Sequence, residues 1–214
     1  LVQFARSINF LQTVQEWPLI MGHFPMKDKD GYYNFAKAFT EININVSKWK
    51  TQDMVAKRQI EDGINTHEGW VMINDLVSKG YKYQAACQLA TLKPDRLTAR
   101  QVANGDESEF FVNIEYGKRI HEVLKDRFGE GDDKTIKTKE FTKEIVLSLQ
   151  KLTNRKGVEW ATDIMVEFIN TLTDKEVADI KAAKSTKVQR KDEKRKQILD
   201  KAFSFFLGQQ NIKL

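Results

Sequence analysis

Cysteine, proline and histidine are scarce: 214 residues hold one Cys, three Pro and three His. A single thiol, Cys87, excludes an internal disulfide. Sitting in a helical pattern between Ala86 and Gln88, it reads as a small buried hydrophobe rather than a nucleophile. His23, His67 and His121 lie far apart with no H-x-x-x-H or H-E-x-x-H spacing, so they announce no metal centre. Among the 11 glycines there is neither G-x-x-x-x-G-K-[ST] nor G-x-G-x-x-G, which removes the usual cradles for nucleotide phosphates. The acidic turns at residues 28–31 and 129–133 lack the twelve-position spacing of a calcium loop. No run approaches the roughly 18 apolar residues a membrane span requires, and residues 1–9 lack the charged-then-apolar order of a signal peptide. The sequence thus names no cofactor, metal or catalytic residue and points to a cytoplasmic protein.

What is present is charge on a helical chain. Net charge is +5, but residues 181–201 hold nine basic and three acidic residues, a local balance of +6, so the remainder is about −1. Neutralised phosphates release counterions wherever the cations sit, so a concentrated block favours a polyanion partner. Its candidate contacts are Lys187, Arg190, Lys191, Lys194, Arg195 and Lys196. The alternative is a solvated helix face laced with ion pairs.

Periodicity divides the chain into three parts: 1–48, 49–172 and 173–214. The first mixes a helical pattern (Leu1, Phe4, Ala5, Ile8, Leu11) with a strand-like run at 17–25, a short α/β remnant. Thr51 is placed to cap the next helix. Thereafter strand signals vanish. Thr66 is placed to cap a helix through Trp70, Ile73 and Leu76 that stops at Lys79-Gly80. A second helix follows from Tyr83 to Ala90, and Pro94 and Asn104-Gly105 bracket a third. Residues 66–105 therefore form a helix-turn-helix-like hairpin offering Lys82, Gln84, Gln88, Lys93, Arg96 and Arg100, side chains able to reach phosphates and base edges. Further helices are expected around Ile120 and Leu124, Phe141 to Leu152, and Val158 to Ile169. A last one is expected from Thr173 through the basic block. The apolar cluster Phe203, Phe205, Phe206 should fold back on this body or dock on a partner. The fold class is mostly α.

The order of motifs resembles the helical portion of ParB/sulfiredoxin-like proteins of bacteria and phages. Asn43, Asn45, Trp49 and Asp53 match the junction between that family's small α/β domain and its helical tail. Leu76, Gly80 and Ala85 match its glycine hairpin, Ile120 and Leu124 its next helix, and Lys137 with Phe141 its K-x-x-x-F helix. The family's Asp-Gly-x-His-Arg signature is missing, since Asp30-Gly31-Tyr32-Tyr33 keeps only the first pair. The resemblance implies a DNA-binding protein of ParB-like type in a bacterial or phage-infected cell, without its own catalysis. Trp49 is expected to anchor the N-terminal part to the helical body. Two other readings stay open: a helical assembly protein that forms homo-oligomers or docks on a partner chain through its N-terminal apolar segment and Phe203, Phe205 and Phe206, or an enzyme whose active centre lies upstream of residue 1.

Overall fold

Helix α3 (Tyr83–Thr91) is enclosed by its neighbours, every residue from Ala85 to Thr91 being buried. The computed structural model describes residues 50–213 apart from 130, 132, 133 and 187. The proposed α/β remnant and Trp49 lie outside the described residues, which all belong to the unit Trp49–Leu214. Ten α-helices and no strand make up the described part, so the protein is mostly α. They are α1 (Thr51–Asp62), α2 (Glu68–Ser78), α3, α4 (Ala99–Asn104), α5 (Glu107–Phe110), α6 (Ile114–Phe128), α7 (Lys139–Lys156), α8 (Val158–Thr171), α9 (Asp174–Ala182) and α10 (Lys191–Gln209). A 3-10 turn, Gly63–Asn65, follows α1.

Small side chains put α3 at the centre. Ala85, Ala86, Cys87 and Ala90 let α2, α6 and α7 approach closely, and Gly117 of α6 lies against the Leu89 carbonyl. Helix α8 covers α6 and α7 with Ala161, Met165, Phe168 and Ile169. Residues 173–214 join the same core: Phe203 of α10 meets the Phe168 ring edge-on at 4.8 Å, and Phe206 lies 5.7 Å from it. Phe203 and Phe206 therefore fold back on the body, as one of the two expectations had it, and of the triplet only Phe205, 68% exposed, stays open to a partner, which corrects docking through all three.

The helix ends show which local signals were decisive. Gly80, at φ +87°, takes the left-handed position after α2. Tyr81 N–H donates to Leu76 O and Gly80 N–H to Val77 O, each at 3.0 Å, the paired bonds of a glycine stop. Several expected caps shift. Helix α1 is capped by Lys50, whose N–H donates to the Asp53 carboxylate at 3.0 Å, so Thr51 is already helical. Thr66 donates its hydroxyl to Gly63 O at 2.7 Å, which leaves His67 to cap α2 by accepting from Gly69 N–H at 3.0 Å. Pro94 sits in a bend, and the helix after it begins only at Ala99, where Thr98 and Gln101 form a reciprocal capping box. Thr173 forms a like box with Glu176, but α9 ends at Ala182. The basic block is therefore split between α9, α10 and the residues between them, rather than carried on one helix.

Candidate nucleic-acid interface

The hairpin 66–105 exists as a helix, a glycine turn and a helix, but its second helix cannot read DNA. A reading helix must lay an exposed face in the major groove, and α3 has its whole length from Ala85 onward in the core. Gln88 is fully buried. Its amide donates to Pro94 O at 2.7 Å and its carbonyl accepts the Thr142 hydroxyl, so it ties α3 to α7 and cannot contact a base, a correction to its assignment. Gln84 is half-buried and also faces Pro94 O, at 3.4 Å. Lys82, Lys93, Arg96 and Arg100 are exposed. Lys82 lies in the turn before α3, its backbone N–H held by Lys137 O at 3.0 Å, and the Lys93 ammonium donates to Glu109 O at 3.3 Å.

The basic block divides into interior and surface residues. Arg195 is buried: Nε donates to Ile180 O at 3.0 Å, Nη2 to the Thr135 hydroxyl at 3.1 Å, and Nη1 lies 3.6 Å from the Asp192 carboxylate. It clasps α10 to the end of α9 and to the 130s loop, so its guanidinium is not a phosphate contact, a second correction. Lys196 is exposed but engaged, its ammonium 2.6 Å from Glu144 of α7, a bond that holds it above the ordinary lysine pKa. Lys187 lies outside the described residues.

Around these, Lys184, Arg190, Lys191 and Lys201 are exposed and Lys194 half-buried, and none forms an ion pair among the described residues. Two of the three acids among them have partners, and the third, Asp200, is exposed. Glu193 accepts the Arg190 N–H at 3.1 Å as a helix cap, and Asp192 faces Arg195. Lys191 N–H donates to the Ser185 hydroxyl at 3.2 Å, which fixes Ser185 against the first turn of α10. The N-terminal end of α10 thus presents cations whose acidic neighbours already have other partners.

Sequence reasoning passed over the α7 residues next to this surface. The Lys196–Glu144 pair sets α10 beside α7, whose exposed positions include Lys143, Lys151 and Arg155. Their four- and eight-residue spacing was the available signal. His23 lies outside the described residues, and the other two histidines are structural: His67 caps α2 and stacks on Phe111 at 5.0 Å, while His121 is buried with Nε2 3.1 Å from the Tyr81 hydroxyl. Among the described residues no three His, Cys, Asp or Glu side chains gather as a metal site, and no helix is long and apolar enough to cross a membrane. No protein-family model, curated protein or solved structure matches the chain.

Proposed function

We propose that this chain is a non-catalytic DNA-binding protein of ParB-like type that holds duplex DNA by its phosphates, without reading sequence. The observation that carries the reading is a set of cations whose side chains form no ion pair among the described residues, Lys184, Arg190, Lys191 and Lys194 at the α9–α10 junction and Lys201 midway along α10. Cations that fail to pair internally are free to replace the counterions of a phosphate backbone. The burial of α3 argues against base readout by the hairpin. The ParB-like part of the proposal rests on the motif order from Asn43 to Phe141 alone.

Fluorescence anisotropy with a labelled 20-base-pair duplex tests it. Dissociation constants near the micromolar end of non-specific binding are expected at moderate salt, with log affinity falling by about 0.9 per phosphate contact for each log unit of salt. Replacing Arg190, Lys191, Lys194 and Lys201 by Gln should lower both affinity and slope. Equal binding by wild type and this variant would leave the block as a solvated face.

A second reading, assembly with a partner chain, is favoured by one feature. Ile60, 55% exposed, borders a shallow apolar groove between α1 and α2 that Ala56, Asn74 and Val77 also line. Sedimentation that shows a stable oligomer, lost in Ile60→Lys, would support it over DNA binding.

A further inference from the structure

Helix α7 carries a second row of cations. Lys139, Lys143, Lys151 and Arg155 recur at intervals of four and eight. On a 3.6-residue repeat Lys139, Lys143 and Lys151 fall on the side away from the buried Phe141, Ile145, Leu149 and Leu152, and Arg155, in the last turn, stands at the flank of that side. All four are exposed. The two acids on that face are used: Glu140 lies 3.7 Å from the Lys139 ammonium, and Glu144 holds Lys196 of α10 at 2.6 Å. Lys143, Lys151 and Arg155 have no ion pair among the described residues. Lys139 with Lys143, and Lys151 with Arg155, are like-charge pairs at i,i+4, which weaken a helix that is merely solvated. Alternating signs would serve such a helix better.

We infer that the outer face of α7 is a second phosphate-binding ridge, continuous with the α9–α10 surface across the Lys196–Glu144 pair, and that its partner is duplex nucleic acid. The inference rests on the DNA-binding reading above. Twelve residues separate Lys143 from Arg155, about 18 Å at 1.5 Å per residue. That length faces several phosphates of a duplex, which carries one charge per roughly 1.7 Å of axis. Unpaired strands are held by aromatic platforms on which bases stack. No aromatic stands on the outer face of α7, and Trp160, just beyond its end, is half-buried with the Lys156 ammonium 5.2 Å from its ring centre. Rows of charge without stacking surfaces suit a double-stranded backbone.

The experiment measures anisotropy against a 20-base-pair duplex and the same single strand, over a series of salt concentrations. It compares wild type with Lys143, Lys151 and Arg155→Gln, with the conservative set Lys143→Arg, Lys151→Arg and Arg155→Lys, and with a control set, Lys50, Lys175 and Lys213→Gln. The control removes the same charge from other exposed positions. The α7 Gln variant should lose at least about tenfold in duplex affinity, and its salt slope should drop by about 2–3, three contacts at 0.9 each. Its thermal midpoint should be equal or higher because like-charge pairs are removed, and the conservative set should bind as wild type does. Wild-type affinity in the α7 Gln variant or an equal loss in the control would each overturn the ridge while leaving the α9–α10 reading in place, and tighter binding of the single strand by wild type would overturn a duplex partner for both. Failure of wild type to bind either nucleic acid would remove both.

Discussion

Gly117 lies so close to the Leu89 carbonyl that a Cβ at position 117 would stand 2.1 Å from the oxygen. The obstacle is backbone of α3 rather than the tip of a flexible side chain, so α6 and α3 must part to admit a methyl group. Gly117→Ala should destabilise by about 3 kcal/mol or more, at the upper end of overpacking costs, read as a lower urea midpoint with an unchanged m-value. Wild-type stability would show that the helices do not meet here.

Arg195 and Lys191 stand four residues apart on α10 and should respond oppositely to mutation. Arg195→Met leaves Ile180 O, the Thr135 hydroxyl and the Asp192 carboxylate without their buried partner, a loss of about 3–5 kcal/mol. Lys191→Gln removes an exposed charge and should change stability by under about 0.5 kcal/mol while weakening duplex binding. Thermal melts and anisotropy on the two single variants separate the roles.

Phe203 and Phe205 offer a similar contrast. Phe203→Ala opens the contact with Phe168 and should cost about 3–5 kcal/mol, whereas Phe205→Ala, at an exposed site, should be close to neutral. Chemical denaturation of both variants decides it. A large loss for Phe205→Ala would place that ring in an interface.

The Cys87 thiol is pushed up from 9.0 to about 11, chiefly because burial disfavours the thiolate. The fold therefore binds this proton more tightly than the unfolded chain does. The resulting stability is whole below pH 9 and is lost as pH rises through about 11, a span of about 3 kcal/mol at 1.36 per unit. Cys87→Ala should be flatter than wild type between those pH values. A thiol reagent should label native Cys87 only at the rate of unfolding, and fast labelling at pH 8 would contradict its burial.

Long apolar periods made the helical body legible. Ile120 with Leu124, Phe141 through Leu152 and Met165 with Phe168 all lie on buried faces of α6, α7 and α8, and Gly80 stops α2 as its type suggests. Polar residues inside the core were not legible. Gln88 bonds to Thr142, 54 positions away, and Arg195 to Thr135, 60 positions away, and only tertiary structure supplies such partners. Caps failed where a competing bond won: Thr66 turned to Gly63 O, which left the N-cap to His67. The break after Ala182 lacks a glycine or proline, and its signs were weaker ones, the poor helix formers Ser185, Thr186 and Val188 followed by the Arg190 and Glu193 cap. Of the candidate surface, the block on α10 was legible as composition. The row on α7 was hidden because Glu140 and Glu144 dilute its net charge.

The enclosure of α3 governs how the molecule opens. An amide exchanges with solvent only when its hydrogen bond breaks and water reaches it, and elements with exposed apolar edges do so through small local fluctuations. α1, with Ile60 open to solvent, is such an edge. α3 is clamped by α2, α6 and α7 and cannot open alone. Deuterium should therefore enter the backbone of Ala85 to Ala90 last and at one shared rate, so that these amides report the global unfolding free energy of the helical body.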